Sequence, residues 1–449
     1  MTITTTLSQR LTIAPEQVHE TLSNHMLADG YDIVMDLDHS QGSWLYDAKR
    51  DRKVLDFFSN FASMPIGYNH PGLDNPQFRE RIATAALNKP ANSDLYTTQM
   101  AEFVETFSRV AVPEPYNKHM FFIEGGALAV ENALKAAFDW KVRKNLARGL
   151  PETTGSKVLH LKEAFHGRTG YTLSLTNTAD PRKTQYFPKF DWPRVETPKM
   201  RFPMDEETTR QVAEAERRAI EQAEKAISEN PDGIAAFILE PIQGEGGDNH
   251  FRPEFLGAVR QLCDENDIVL IFDEIQTGLG LTGTMWAFQQ LGVEPDMFCF
   301  GKKTQVCGFA SNDRIFDIEQ NVFTVSSRIN STWGGNLTDM VRSQRYLEVI
   351  EEEDLVSNAA AVGTFIRDSL IELAEGSKGV ISNVRGRGLM IAFDLESSEK
   401  RDSALESLEN QGLLALASGH QSIRFRPHLI VSRDEATEAL QRVSRAIGV

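Results

Sequence analysis

Three cysteines in 449 residues leave no room for a disulfide framework. Cys263, Cys299 and Cys307 form no Cys-x-x-Cys pair, and two of them sit in or beside apolar runs, where a buried, inert thiol is expected. Such usage suits a reducing cytoplasm. Basic residues are also in deficit. The 47 Lys and Arg against 64 Asp and Glu give a formal charge of −17, which argues against nucleic-acid binding as the main function. No stretch approaches the roughly 20 apolar residues that a membrane span requires. The threonine-rich start, Met1 to Ala14, has no apolar core of the kind a secretory signal needs. Internal repeats and low-complexity tracts are missing too.

What is present is the composition of a globular protein, 41% hydrophobic and 25% charged, long enough for two or three domains. Pro15 is expected to open a helix carrying Val18, Leu22 and Met26 at spacings of four. Short strands joined by turns follow over 31–58. From about 65 to 340, near-continuous apolar strands alternate with helices: strands at 120–123, 158–161, 234–239, 268–272 and 297–300, helices at 127–141, 206–229 and 253–265. That alternation predicts an α/β fold with a mostly parallel sheet covered on both faces. Beyond 341 the texture changes to a helix at 338–352, a hairpin over 383–395, another helix, a strand at 423–426, and a last helix opened by the capping box Ser432 to Glu435. We therefore expect N-terminal elements (1–64) joining a smaller α+β domain (341–449), with a large domain (65–340) between them.

Two apolar runs carry the chemistry. Ile271-Phe272 ends in Asp273-Glu274, and Met297-Phe298-Cys299-Phe300 ends in Gly301-Lys302-Lys303. An acid and a lysine at the tips of neighbouring strands are what pyridoxal phosphate requires: the amine forms a Schiff base with the aldehyde, and the acid keeps the pyridine nitrogen protonated. The alternative for Asp273 is a plain cap. Either Lys302 or Lys303 could be the carrier, but adjacent residues on an extended segment point to opposite faces, so only one can reach the ring.

Ligands of such sheets collect at the C-terminal strand ends. Glu124-Gly125-Gly126-Ala127 precedes a helix whose N-terminal N–H groups could hold a phosphate, or is simply a turn. Phe165-His166-Gly167-Arg168 offers an aromatic face, or a core-packing Phe, and a guanidinium able to clamp a carboxylate, or a solvated charge. Glu240-Pro241-Ile242-Gln243-Gly244-Glu245 places two carboxylates in a Gly-rich loop. One segment, Gly278-Leu279-Gly280-Leu281-Thr282-Gly283, matches G-x-G-x-x-G and has Asp296 18 residues beyond its first glycine, imitating a dinucleotide site. Its glycines begin five residues past Asp273 rather than at the strand tip, and the segment that follows is short for a βαβ helix.

In order, these motifs resemble the class III (ω) aminotransferases, a branch of the fold-type I pyridoxal-phosphate enzymes. Further matching blocks are Asp273-Glu274-x-Gln276-x-Gly278, Ser331-Thr332-x-Gly334-Gly335-Asn336 and Arg424-Phe425-x-Pro427, so the likeness runs from about 45 to 430. Within the family the match is to members acting on lysine. It rests on Gly126-Ala127-Leu128-Ala129, Gly301-Lys302-Lys303-Thr304-Gln305 and Asn330-Ser331-Thr332-Trp333. Leu281 stands where many relatives carry Arg, and Leu128 where many carry Glu.

The resemblance implies Lys302, next to the Gly, as the carrier and proton-transfer base, and Asp273 at the ring nitrogen. It implies Gly126, Ala127 and Thr332 of a second copy at the phosphate, Phe165 with His166 at the ring, and Glu240 and Gln276 around it. Arg424 would take the carboxylate of 2-oxoglutarate, and Glu245 would neutralise Arg424 when L-lysine is bound. Arg168 would hold the far carboxylate, and Asn330 the lysine α-amine. The expected reaction moves the ε-amino group of L-lysine to 2-oxoglutarate in a homodimer. Ornithine or 4-aminobutyrate as amine donor, an isomerising relative, and a nicotinamide-dependent oxidoreductase are the alternatives.

Overall fold

The computed structural model describes residues 12–448, so most of the threonine-rich start lies outside the described residues. Chain order runs from a meander of β1 (Met35–Gln41), β2 (Trp44–Asp47) and β3 (Arg52–Asp56) to β4 (Met120–Ile123), β5 (Lys157–Leu161), β6 (Arg194–Val195) and β7 (Ile234–Leu239). A small hairpin, β8 (Ile242–Gln243) and β9 (Asn249–His250), precedes β10 (Val269–Asp273), β11 (Met297–Phe300) and β12 (Cys307–Ser311). The C-terminal part adds β13 (Ser382–Arg387), β14 (Met390–Asp394), β15 (Leu413–Leu414), β16 (Leu416–Ser418) and β17 (Ser422–Phe425).

Seven strands form the central sheet in the order β4-β12-β11-β10-β7-β5-β6. The run from β11 to β6 is parallel, while β12 lies antiparallel to both β11 and β4. Every residue of β7, β10 and β11 is buried, as expected of parallel strands covered on both faces. Alternate side chains feed two cores. Val269 and Ile271 pack with Val130, Leu134 and Trp140 of the helix Gly126–Ala147, while Leu270 and Phe272 join Phe255, Leu256 and Trp286 on the other face. The charged helix Glu206–Glu229 buries a narrow stripe, Val212, Ala219, Ala223 and Ala226.

Two four-stranded sheets stand beside this one, β1-β2-β3-β15 and β13-β14-β17-β16. Parallel pairing of β15 with β3 ties the C-terminal part to the N-terminal meander. Among the described residues, no helix is long and apolar enough to cross a membrane.

Most expected elements appear within a residue or two, but the helices Pro76–Ala86 and Thr98–Val110 have no counterpart in the sequence pattern, and three further points differ. The first helix stops at Ser23, leaving Leu22 and Met26 exposed, because nothing packs against its apolar stripe within one chain. Strand β12 has no counterpart in the periodicity reading, and neither has the long helix Leu355–Gly376 that packs across β13.

Candidate active site

Asp273 ends β10 and pairs in register with Cys299 of β11, so the acid and the lysine segment leave the sheet side by side. Both open into a cavity of about 280 Å³ lined by Gly126, Ala127, Phe165, His166, Gly167, Glu240, Glu245, Asp273, Ile275, Gln276 and Lys302. The two adjacent lysines separate here. Lys302, at φ +53° on a single 3-10 turn, faces the cavity. Lys303 points the other way, its buried ammonium donating to the Gln276 carbonyl at 2.7 Å and the Ala62 carbonyl at 3.4 Å. Burial, helped by the Arg424 and Arg426 guanidiniums, pulls the Lys302 ammonium down to about 8, with Asp273 and Glu240 opposing.

Asp273 is nearly fully buried. One carboxylate oxygen lies 2.8 Å from His166 Nδ1, and the other accepts the Ile275 N–H at 3.2 Å. The His166 backbone N–H is held by Thr176 Oγ1 at 3.0 Å, while its Nε2 is buried without a hydrogen-bond partner. Glu240 ties two loops together by accepting the N–H groups of Phe165 and Gly244, each at 2.9 Å. Burial pushes the Glu240 carboxyl up to about 7, against the pull of His166.

At the opposite end, the helix Gly126–Ala147 points its N-terminus at the cavity. Gly125, at φ +97°, forms the N-cap without any side-chain cap. The uncapped N–H groups and the positive end of a 22-residue helix suit a phosphate. An anion-binding helix end, an aromatic face at Phe165, a buried carboxylate with a histidine behind it, and an amine lowered toward neutrality thus surround one cavity. These residues fit pyridoxal phosphate.

On the substrate side, Arg424 projects from β17 and is almost wholly buried. Its guanidinium donates to Glu245 Oε2 at 2.8 Å and to Gln276 Oε1 at 3.3 Å. The other Glu245 oxygen is bonded to Lys183. Burial alone would raise the Glu245 carboxyl; Arg424 and Lys183 together hold it below the usual range. Arg426, fully buried, donates to Gln276 Oε1 at 3.1 Å and is paired with Asp248. A side chain at Gly244 would push the Gln276 amide out of its place against Arg424 and Arg426.

Arg168, Asn330 and Thr332 are exposed and do not line the cavity within one chain. Asn330 accepts the Ser331 N–H at 2.8 Å through its own side chain, and the Thr332 carbonyl accepts from Ser93 Oγ at 3.3 Å. Lys183, Arg426, Asp248 and Thr176 were not singled out by the motifs. For Arg426 a signal existed: Arg424-Phe425-Arg426 at the end of a strand puts both arginines on one face.

The dinucleotide look-alike is a chain of turns. Gly280 and Gly283 have φ of +86° and +85°, and only the four-residue 3-10 turn Ala287–Gln290 follows. Asp296, the would-be ribose ligand, accepts the Leu270 N–H at 2.7 Å and pairs with Arg260 at 3.0 Å. The segment packs on Trp286 and the Leu355–Gly376 helix instead.

Glu274, beside Asp273 but pointing out of the cavity, accepts the Phe288 N–H at 2.8 Å, and burial pushes its carboxyl up to about 7. An acid whose folded-state pKa is raised above its unfolded value costs stability as pH climbs from about 4.5 to about 7. Glu274→Gln should therefore gain stability over wild type across that window, by on the order of 3 kcal/mol above pH 7, with no gain below pH 4. Thermal melts of both proteins from pH 4 to 8 measure it; parallel melting curves would refute the assignment.

Comparison with known proteins places these features in a family. Residues 26–447 match the model of class-III aminotransferases. The chain is 54% identical to the L-lysine-epsilon aminotransferase of Mycobacterium tuberculosis (strain ATCC 25618 / H37Rv) over 436 residues, covering 97% of this chain and 96% of that one. It is 51% identical to the L-lysine-epsilon aminotransferase of Streptomyces clavuligerus, over 96% of this chain and 94% of the relative. A solved structure described as lysine aminotransferase from M. tuberculosis in the internal aldimine form superposes with a TM-score of 0.94 at 54% identity, covering 97% of this chain and 99% of that one.

Proposed function

We propose, from the premise that this chain belongs to the class-III aminotransferase family, that it transfers the ε-amino group of L-lysine to 2-oxoglutarate, giving 2-aminoadipate 6-semialdehyde, which cyclises, and L-glutamate. The chain is a pyridoxal-phosphate-dependent transaminase of the fold-type I class. The observation that carries the substrate reading is the Glu245–Arg424 ion pair at the cavity wall. 2-Oxoglutarate brings a carboxylate beside its reacting carbon; lysine, entering by its ε end, brings none. A buried guanidinium left alone is costly, so a carboxylate that covers Arg424 for one substrate and yields it to the other meets both cases. The lysine-directed relatives at 51–54% identity support the same choice over ornithine or 4-aminobutyrate.

Pyridoxal phosphate, when bound, supplies an aldehyde for the amine and a ring that draws electron density from the substrate carbon. In this reading Lys302 carries it covalently, Gly126 and Ala127 hold its phosphate, Phe165 covers its face, Asp273 backed by His166 holds the ring proton, and Gln276 meets the ring oxygen. Glu240 fixes the loop that presents Phe165. With its amine free, Lys302 would be the base that moves the proton at the substrate carbon bearing the amino group. Burial, which lowers the Lys302 amine to about 8, favours the neutral form that such a base needs.

Arg168 binds the far carboxylate, Asn330 the lysine α-amine, and Thr332 the phosphate held by a second copy. Thr332, exposed and off the cavity within one chain, is the residue through which a homodimer would share its sites. The division into 1–64 with 341–449 as a smaller domain and 65–340 as the cofactor domain belongs to the same reading. Three buried, unpaired thiols support a cytoplasmic setting.

A panel of lysine, ornithine and 4-aminobutyrate with 2-oxoglutarate, scored for glutamate and a cyclic imine, tests the assignment: lysine should lead, and preference for either rival would overturn it. Glu245→Ala should slow the lysine half reaction about tenfold to a hundredfold, with the 2-oxoglutarate half reaction changed far less, because the uncovered Arg424 then faces a substrate with no carboxylate for it. Single-turnover rates for each half reaction separate the two, and wild-type rates in both would end the idea.

A further inference from the structure

The Glu245 carboxylate is held between two cations of unlike burial. Arg424 is the more buried: it sits on β17 between β14 and β16, its side chain 3% exposed, and Gln276 braces it. Lys183 is less so. It ends the short turn Pro181–Lys183 in the connection between the helix Gly170–Leu175 and β6, a stretch that carries the exposed Tyr186, Phe187 and Phe190. Its side chain is 26% exposed. Arg182 turns outward to pair with Asp180 at 2.9 Å, leaving Lys183 as the residue of this turn that reaches the cavity wall. Glu245 reaches both cations at once, one carboxylate oxygen on each.

We propose that Lys183 is the parking partner of Glu245, the cation that receives its carboxylate when the carboxylate of 2-oxoglutarate takes Arg424. The inference rests on the charge-switch reading above and adds the element that makes the switch balance. With lysine bound, Glu245 bridges Arg424 and Lys183, as it does here. With 2-oxoglutarate bound there are two anions, the substrate carboxylate and Glu245, and two cations, Arg424 and Lys183. Each anion then has one cation, and no partly buried charge is left alone. Remove Lys183 and the displaced Glu245 carboxylate stands unpaired beside an incoming anion, so the penalty falls on 2-oxoglutarate and hardly on lysine. Lys183 is thus a specificity-determining residue for the acceptor and does no proton transfer itself.

The test uses the holoenzyme and the variants Lys183→Met, Lys183→Arg and Glu245→Gln, with two readouts. One is the dissociation constant of glutarate, an inert dicarboxylate, by calorimetry; the other is the pair of single-turnover half reactions. Lys183→Met should weaken glutarate about tenfold and depress the 2-oxoglutarate half reaction about tenfold more than the lysine one. Lys183→Arg should restore both, and in the Glu245→Gln background Lys183→Met should change nothing further, since no carboxylate remains to be parked. Equal losses in both half reactions, unchanged glutarate binding, or an effect that persists without Glu245 would each overturn the proposal while leaving the switch itself standing. If Glu245→Gln alone leaves both half reactions at wild-type rates, it is the switch that fails, and Lys183 with it.

Discussion

Lys302→Ala is expected to lower amino-group transfer by about ten-thousandfold or more, and Lys303→Ala to leave transfer largely intact while destabilising the protein. The two side chains are neighbours in sequence but not in surroundings. Burial lowers both amines, but Lys302 faces the cavity, whereas the buried Lys303 nitrogen is spent on two backbone carbonyls, those of Gln276 and Ala62. In the proposed reaction, removing Lys302 would delete both the covalent anchor and the proton carrier. Removing Lys303 strands two carbonyls, at a cost of about 1–3 kcal/mol. Turnover assays with thermal melts on both variants distinguish them. Equal activity losses, or a larger one at 303, would assign the anchor wrongly.

Asp273→Asn should lower both half reactions together, on the order of a thousandfold in turnover, with little change in the apparent affinity for either substrate. The carboxylate is buried, and its negative charge is aimed at one place by the His166 ring at 2.8 Å and the Ile275 N–H at 3.2 Å. An amide of the same shape keeps the packing but cannot hold a proton on a ring nitrogen opposite it. The symmetry of the loss separates this residue from Glu245, whose removal should hurt one substrate far more than the other. Rates within tenfold of wild type would exclude Asp273 from the ring nitrogen.

How much of this was legible beforehand follows from the physics of each signal. Strands β7, β10 and β11 announced themselves because a parallel strand buried on both faces must be apolar throughout, and an acid or lysine at its end breaks that run visibly. Strand β12, Cys-Gly-Phe-Ala-Ser, carries no alternation and few β-branched residues. It is a strand because β4 and β11 offer it two sets of hydrogen bonds, which is information from distant sequence. The first helix ends short of its apolar spacing for the converse reason: Leu22 and Met26 have helical spacing, but within one chain no surface buries them.

The site divides in the same way. Asp273, Lys302, Phe165-His166 and the Gly125-Gly126 turn lie at strand ends, where position alone suggests chemistry. Opposite-face geometry allows only one of Lys302 and Lys303 at the cavity, the family pattern favours Lys302, and the fold turns Lys302 toward the cavity and Lys303 away. Lys183 could not be seen at all, since a lone lysine in an exposed connection looks like every other solvated charge until the fold brings it to Glu245. Asp248 and Thr176 were invisible likewise. The Gly278 to Gly283 segment shows the opposite failure, a pattern without its context, because no helix follows to present N–H groups to a phosphate.

The central claim is that the side chain at position 302 bonds covalently to pyridoxal phosphate. Treating the purified, cofactor-loaded protein with borohydride and mapping the reduced adduct by peptide mass spectrometry tests it most directly. A visible absorbance that disappears on reduction, with the added mass on Lys302, is the predicted outcome. Protein that stays colourless with the cofactor present, or an adduct placed on Lys303 or elsewhere, would contradict it.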